Sequence, residues 1–333
     1  MRNLKATLES SKLFGWFTLF DPVEGSTIFL PENLGKGWWV GALSAFYDRE
    51  REKLYLYYRI RKPRGLGRGL ECRISESKDG IKFTDVWVGK KEELGSPSIE
   101  RASLIKSYKG DYLLYISYVD PIDNRWRIDV LHAKSPEDFD LSQRHPVFTA
   151  KNTSTQAVKD PVVYSFSGLY YMFLSYAPTP QGVNETGLKD MHATADVFNT
   201  GKVISCSALA VSSDGEQFAW LGDVLTPGQV WDRDTARVSS ILYTPPLFTM
   251  FYDGKAGVEG NYEEKTGMAI SFDFMHWQKV SIHEPILTSP HSSHSLRYMD
   301  IVPFEDRIYF YYEYAREDGS HELRLSVVPR KRD

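Results

Sequence analysis

The chain of 333 residues is longer than a typical single domain, although all-β proteins can reach this length as one unit. Hydrophobic residues make up 42% and charged residues 25%, a composition that excludes wholesale disorder and collagen-like repetition. The net charge of −4 balances 40 basic against 44 acidic residues, so a polyanion meets no overall attraction. We therefore expect no nucleic-acid partner.

The sequence also carries no signal for export or membrane insertion. Residues 1–12 include charges of both signs and lack the apolar run and small-residue cleavage site of a signal peptide. No stretch approaches the roughly 18 consecutive apolar residues of a transmembrane helix. Cys72 and Cys206 have no cysteine or histidine partner at the spacing of a zinc site, and two cysteines cannot form a disulfide framework. We expect a soluble cytoplasmic protein with no membrane partner, and its oligomeric state is left open.

One pattern recurs along the chain: an apolar strand, a short turn, and a second strand rich in Tyr and Phe. The aromatic strands are Leu54–Tyr58, Tyr112–Tyr118, Tyr170–Tyr176, Leu247–Tyr252 and Ile308–Tyr312, and they begin 58, 58, 77 and 61 residues apart. The apolar strands before them are Gly41–Phe46, Ala102–Ile105, Pro161–Tyr164, Val238–Leu242 and Met299–Val302. We number these repeats units 1 to 5 in chain order.

A third strand in most units ends in a Ser/Asp/Gly turn followed by an aromatic residue. The phrases are Ser77–Phe83, Ser213–Phe218 and Ser271–Trp277, with the variant Ser135–Phe139 in unit 2. Such a turn suits a hairpin between strands 3 and 4 whose aromatic residue packs between neighbouring units. Four short strands per unit predict an all-β, five-bladed β-propeller forming a single domain over residues 1–333. The blades are expected at about 36–95, 96–150, 155–225, 232–285 and 292–330, with one insertion at about 178–202 in unit 3.

Unit 5 ends without residues for a fourth strand. An unpaired outer edge is costly, so we expect the N-terminal segment to pair there and close the ring. Two stretches qualify, Phe14–Phe20 and Thr27–Leu30.

In a propeller, the segments that lead into first strands and those joining strands 2 and 3 open on one face around the channel. In units 2 to 5 the segments that lead into the first strands carry charged residues: Glu100, Arg101, Lys159, Asp160, Arg237, Arg297 and Asp300. Unit 1 has Trp38 and Trp39 there and no carboxylate. The strand 2 to 3 segments add Arg59, Glu71, Glu259, Glu313 and His321. Each such residue alone is more often solvated surface. Together they suit a polyhydroxylated ligand, because carboxylates accept hydroxyl hydrogen bonds or transfer protons and indoles stack on sugar faces.

The five units, the Lys159-Asp160-Pro161 triplet and the phrase from Glu71 to Phe83 resemble the five-bladed propeller glycoside hydrolases and phosphorylases of families 43, 32 and 130. The resemblance implies acidic residues at several inner strands, one acting as general acid opposite a base or nucleophile. Asp160 matches the aspartate that contacts substrate or tunes the neighbouring acid, and Glu100 holds the corresponding place in unit 2. Unit 1 lacks the carboxylate that family 43 uses as general base, and the full phosphate motif of family 130 is absent.

The sequence thus predicts a glycoside hydrolase that binds a small-molecule or oligosaccharide substrate at the channel mouth. Asp160 and Glu100 are the predicted channel carboxylates, and the acid is Glu259 or Glu263, with Glu259 preferred. Predicted substrate contacts are Arg59, Glu71, Arg101, Lys159, Arg237, Arg297, Asp300, Glu313, His321, Trp38 and Trp39. The arginines and Lys159 would also suit an anionic sugar or a phosphate nucleophile.

Three alternatives stay open. Instead of a hydrolase, the sequence is compatible with a phosphorylase, in which inorganic phosphate replaces water, and with a propeller that binds carbohydrate without cleaving it. The cluster formed by Arg297, Asp300, Glu313, Arg316 and His321 is an internal salt-bridge network in the more conservative interpretation. Single histidines are more often hydrogen-bonded loop residues than ligands, so we predict no metal and no cofactor.

Overall fold

The computed structural model describes residues 17–291 and 293–330, and this part of the chain is nearly all-β. Its strands are β1 (Ser26–Phe29), β2 (Trp39–Asp48), β3 (Lys53–Arg61), β4 (Gly69–Ser77), β5 (Thr84–Lys90), β6 (Ile99–Lys106), β7 (Tyr112–Val119), β8 (Trp126–Ala133), β9 (His145–Phe148), β10 (Ala157–Phe166), β11 (Leu169–Ala177), β12 (Cys206–Ser212), β13 (Ala219–Leu225), β14 (Thr235–Thr244), β15 (Leu247–Lys255), β16 (Lys265–Ser271), β17 (Gln278–Lys279), β18 (Leu296–Pro303), β19 (Arg307–Ala315) and β20 (His321–Pro329). Two short α-helices, α1 (Ala150–Thr153) and α2 (Glu185–His192), interrupt them. No helix in these residues is long and apolar enough to cross a membrane.

The strands form antiparallel sheets that follow the repeat. Units 2, 3 and 4 are four-stranded sheets in the orders β6-β7-β8-β9, β10-β11-β12-β13 and β14-β15-β16-β17. The remaining strands join in one eight-stranded sheet, β18-β19-β20-β2-β3-β4-β5, with β1 paired to β20. In this sheet β20 and β2 are parallel and are paired at one position, Trp39 with His321. First strands of successive units contact one another, β2 with β6, β6 with β10, β10 with β14, β14 with β18, and β18 with β2. The predicted all-β class with four-stranded antiparallel units is confirmed.

The N-terminal segment covers the outer edge of unit 5, as expected. β1 runs antiparallel to β20, with Ser26 opposite Leu325 and Thr27 opposite Arg324. Of the two candidate stretches, the one at Thr27 supplies the strand, while residues 14–16 of the other lie outside the described part. Phe20 packs its ring 4.8 Å from that of Phe310 in unit 5. The edge of β20 therefore has a strand partner.

The Ser/Asp/Gly phrases fold into one hydrogen-bonded turn. In the first, the Asp79 carboxylate accepts the backbone N–H groups of Ile81 and Lys82, and Ser77 Oγ accepts that of Gly80. The serine of the unit 3 turn is Ser212 rather than the predicted Ser213, since its Oγ accepts the Gly215 N–H. The aromatic residues then contact the preceding unit's second strand, in the pairs Phe83–Tyr311 at 6.0 Å, Phe218–Tyr115 at 5.8 Å and Trp277–Phe173 at 6.3 Å. These contacts bind neighbouring units together, as the sequence predicted.

Every first strand is bulged at the same position. The register with the second strand shifts around residues 42, 101, 160, 239 and 298, which are Ala42, Arg101, Asp160, Ser239 and Tyr298. Ala42, Asp160 and Tyr298 have left-handed φ of 53°, 53° and 50°, a conformation that costs energy for residues other than glycine. Bulges redirect side chains. Two of these residues with left-handed φ, Asp160 and Tyr298, belong to the buried polar cluster described next.

Candidate active site

A small enclosed cavity of about 20 Å³, the space of about one water molecule, lies where the first strands begin. Its polar lining consists of Arg61, Glu100, Lys159, Asn199, Ser205, Thr235, Arg237, Lys255, Tyr262, Glu264, Arg297 and Tyr298, with Phe198 beside them. Phe198 and Asn199 belong to the unit 3 insertion, and Tyr262 belongs to the segment between β15 and β16. Units 1 to 5 all contribute to this lining, so the cavity lies where the five units meet.

Glu100 links the first three units. Its carboxylate is ion-paired with Arg59 of β3 and lies 3.7 Å from Lys159 Nζ of β10. Arg59 is buried and its Nε and Nη2 have no hydrogen-bond partner among the described residues. Because Glu100 borders the cavity with its side chain 12% exposed, its carboxylate can reach a ligand held there.

Asp160 lies in the centre of the cluster, completely buried. Its Oδ2 accepts from Arg237 Nη1 at 3.2 Å and lies 3.2 Å from Lys159 Nζ, while its Oδ1 has no hydrogen-bond partner among the described residues. Arg237 also binds Asp253 Oδ2 of β15 at 3.0 Å and donates to the Tyr298 hydroxyl at 3.0 Å. Asp253 in turn accepts the Tyr298 backbone N–H at 3.1 Å. This chain of bonds holds Tyr298 in its strained conformation.

A second chain of ion pairs joins units 4 and 5. Arg297 binds Glu264 through Nη1 and Glu313 through Nη2, the latter at 2.6 Å. Glu313 accepts a further hydrogen bond from His321 Nδ1 at 2.7 Å, and His321 Nε2 lies 2.9 Å from Glu263. The imidazole of His321 is thus completely buried between two carboxylates, and its orientation is fixed at both nitrogens.

The ion pairs keep most of these carboxyl groups ionised. Burial raises the pKa of Asp160, but Lys159 and Arg237 outweigh it and the net pKa lies below the ordinary value. Burial likewise opposes ionisation of Glu264 and Glu313, and the arginines beside them bring each pKa well below its usual range. Such carboxylates can accept protons, attack a carbon centre or stabilise positive charge.

Burial shifts the pKa of Asp253 and that of Lys159 the other way, towards the neutral forms. Burial raises the pKa of Asp253 against the attraction of Arg237. Burial lowers the pKa of Lys159 to about 8, with Asp160 opposing the change. Lys159 is therefore the cavity-lining group poised to exchange a proton near neutral pH.

A larger open cleft of about 600 Å³ adjoins the cavity between units 4 and 5, and Lys255 borders both. The cleft is lined by Trp231, Lys255, Glu259, Glu263, His294 and neighbouring residues. Glu259 is exposed on the wall of the cleft and takes no part in the ion-pair network of the described residues. Glu263, the alternative acid, is buried at the base of the cleft against His321.

The structure brings most of the predicted site residues together. Glu100, Lys159, Asp160, Arg237, Arg297, Glu313, His321 and Arg59 form the network around the cavity. Arg101 and Asp300 lie beside it, with Arg101 Nε donating to the Leu43 carbonyl at 2.9 Å and Asp300 accepting the Ala45 N–H at 2.8 Å. The salt-bridge interpretation of the unit 5 cluster therefore holds for Arg297, Glu313 and His321, which does not exclude contact with a ligand.

Besides Glu259, three predicted residues do not line the cavity. Glu71 is paired with Arg73 on β4, away from the cavity lining. Trp39, expected as an exposed stacking surface, is 2% exposed because its indole packs 4.5 Å from the His321 ring and under the Arg61 guanidinium. Trp38 is half-buried with Lys62 Nζ 5.7 Å from its ring. Trp39 therefore supports the cluster from beneath.

Sequence reasoning missed Arg61, Asp253, Lys255, Glu264 and Tyr298 as parts of this site. The predicted aromatic strand ends at Tyr252, but β15 continues through Asp253 and Lys255 and brings both into the charged cluster. The sequence does contain a signal that Asp253 belongs to the site. A carboxylate directly after the apolar run Leu247–Tyr252 indicates a strand that ends at the charged face.

No protein-family model matches the chain, and no similar curated protein was found. Solved structures do resemble it. One named a glycoside hydrolase superposes with a TM-score of 0.66 at 13% identity over 99% of this chain and 96% of its own. A thermostable family-43 glycoside hydrolase gives 0.64 at 14% identity over 92% and 93%. A structure from the family 130 mannoside phosphorylases, which contain glycoside hydrolases that target β-1,2-mannosidic linkages in Candida mannan, gives 0.59 at 14% identity over 89% and 85%. At these identities the likeness establishes the fold, and it confirms the structural resemblance to families 43 and 130.

Proposed function

We propose that the protein is a glycoside hydrolase that binds the end of a saccharide at the mouth of the central cavity. The observation that carries the proposal is that Glu100 and Glu264, from units 2 and 4, face one enclosed cavity with Asp160 beside them. Cleavage of a glycosidic bond needs a pair of carboxyl groups on either side of the bond. The structures similar to this chain carry the names of glycoside hydrolases, which supports the same activity.

The architecture proposed for this activity is a single five-bladed β-propeller spanning residues 1–333. The ring of contacts among β2, β6, β10, β14 and β18 supports five blades. In this view the eight-stranded sheet is two blades joined only at Trp39 and His321, with β1 as the fourth strand of the last blade. A cytoplasmic location remains a prediction from the sequence.

In the proposed site, Asp160 and Glu100 act as the channel carboxylates and the cationic residues hold the substrate. Glu264 joins them because it lines the cavity, is ionised, and lies 3.8 Å from Arg237 Nη2. Glu259 remains the proposed acid. As an exposed residue on the adjoining cleft it would require a bound saccharide to shield it, since a general acid needs a raised pKa.

Single isosteric substitutions test these roles on a panel of p-nitrophenyl glycosides and oligosaccharides. We expect Asp160→Asn, Glu100→Gln and Glu264→Gln to lower turnover by about 10²-fold or more, the usual contribution of acid or base groups. Glu71→Gln, on β4 and outside the cavity lining, is the control and should retain activity. Full turnover by both Asp160→Asn and Glu259→Gln on an identified substrate would show that the assignment is wrong.

A second candidate, carbohydrate binding without cleavage, is favoured by two observations. Burial opposes ionisation of Glu264, but the arginines beside it hold its pKa well below the usual range, and Ala42 occupies the bulge position of unit 1 where a carboxylate would be needed. Calorimetry would then detect saccharide binding with no product after long incubation. The phosphorylase alternative requires product release to depend on inorganic phosphate, which the same assay distinguishes.

A further inference from the structure

Not every cationic side chain that lines the cavity has a carboxylate partner. Lys159, Arg237, Arg297 and Lys255 each have a carboxylate partner, Lys255 through Asp234 at 2.9 Å. Arg61 has no carboxylate within 4.0 Å among residues 17–291 and 293–330, although it is only 5% exposed. Burying an unpaired cation is costly, so a residue of this kind indicates a missing anion.

Two aromatic rings cover adjacent sides of the Arg61 guanidinium. The Tyr262 ring centroid lies 4.0 Å from its Cζ and the Trp39 ring centroid 4.3 Å from it, and the two centroids are 5.8 Å apart. The uncovered edge of the guanidinium presents N–H groups in a plane, which matches the two oxygens of a carboxylate.

We propose that the saccharide bound at the mouth of the cavity is an acidic sugar and that Arg61 is the residue that binds its carboxylate. This inference rests on the proposed function. A single unpaired cation matches a single negative charge. A phosphate dianion fits less well, because Glu100 and Glu264 line the same cavity and would repel the second charge.

A carboxylate needs more room than the closed cavity offers, so Tyr262 must move when it binds. Tyr262 has a left-handed φ of 66° and its hydroxyl donates to Asp196. Asp196 is held independently by Arg68 Nη2 at 3.5 Å. Rotation of the Tyr262 side chain would therefore expose the edge of Arg61 and leave the carboxylate of Asp196 paired.

The test measures the binding of sodium D-glucuronate and D-galacturonate by calorimetry, with their methyl esters as neutral counterparts and inorganic phosphate as a separate arm. We expect the wild-type protein to bind at least one uronate about 10- to 100-fold tighter than its ester, the range for a hydrogen-bonded charge. Arg61→Met should remove this difference and bind acid and ester alike. Arg61→Lys, which keeps the charge but not the planar fork, should retain part of it. Lys62→Met is the matched control, since Lys62 pairs with Glu32 outside the cavity, and it should behave as wild type.

Folding of the variants is checked by thermal melting. Removing an unpaired buried cation should leave the melting temperature of Arg61→Met unchanged or raised. Equal binding of uronate and ester by the wild type, or a preference that survives in Arg61→Met, overturns the acidic-sugar proposal while the hydrolase proposal stands. Phosphate binding without uronate binding overturns the sugar carboxylate as the source of the anion. Binding of no saccharide at all overturns both proposals.

Discussion

Glu313 is the carboxylate on which the buried network depends most, and replacing it with Gln tests the energetics of that network. Its Oε1 accepts from Arg297 at 2.6 and 2.8 Å and from His321 at 2.7 Å, and its Oε2 accepts the Ala42 N–H at 3.0 Å. A glutamine keeps the shape but loses the charge, and its NH2 group must face one of these donors. Breaking a buried ion pair in this way costs about 3–5 kcal/mol. That is a large part of the roughly 5–15 kcal/mol by which domains are stable.

The free energy of unfolding is measured by urea denaturation followed by tryptophan fluorescence. We expect Glu313→Gln to lose about 3–5 kcal/mol. The control Glu317→Gln, four residues along on an exposed turn, should change stability by less than about 0.5 kcal/mol. A loss below about 1 kcal/mol for Glu313→Gln would refute the reasoning, because it would mean that the network relaxes around an unpaired Arg297 at little cost.

The pH dependence provides an independent check. Burial opposes ionisation of Glu313, but Arg297 and His321 outweigh it, so the folded pKa lies below the unfolded value of about 4.3. A depressed carboxyl pKa contributes stability above the unfolded pKa, and this stability disappears as pH falls towards the folded pKa. The stability difference between wild type and Glu313→Gln should therefore be constant from about pH 6 to 7 and shrink below about pH 4. A difference as large at pH 3 as at pH 7 would contradict this account.

Four further predictions follow from single contacts. Deleting residues 1–30 removes β1 and should lower the urea midpoint sharply, and an unchanged midpoint would show that β20 needs no partner. Asp79→Ala should cost about 1 kcal/mol at pH 7 through lost hydrogen bonds, and its lowered pKa means that the difference from wild type should vanish in acid. Gly41→Ala should destabilise by about 1–3 kcal/mol, since its Cβ would lie 2.0 Å from Glu313 Oε2, and a neutral effect would show that this carboxylate can shift. Lys159 should titrate near pH 8 by NMR, well below the other lysines, and an ordinary value near 10.4 would contradict its burial.

Much of the fold was predictable because it depends on local rules that are repeated. Aromatic residues suited to a pleated surface recur in every unit, and turn residues at fixed offsets recur in most of them, so a pattern that is weak in one unit can be recognised from the others. The Ser77–Phe83 phrase predicted both its turn and the contact of Phe83 with the preceding unit. Even the closing strand near Thr27 could be inferred, because an incomplete unit 5 requires a partner.

The candidate site was predictable in part, for a related reason. The repeat places equivalent positions around one axis, so Glu100, Asp160, Arg237 and Arg297 could be grouped from spacing alone. The ion-pair partners of these residues could not be predicted, because ion pairs between units depend on the directions of the side chains and the bulges change those directions. Glu264 is the example, since it pairs with Arg297 of a different unit.

The sequence by itself determined the repeat, the antiparallel units and the face on which the charges collect, since these follow from periodicity and turn chemistry. The tertiary structure alone decided which charges neutralise each other. It buried Trp39 beneath the cluster, left Glu259 outside on an open cleft, and packed Arg61 against two rings with no carboxylate within 4.0 Å among the described residues. The physical reason is that burial and pairing are properties of packed neighbours from distant units, and both act over a few ångströms that no local pattern encodes.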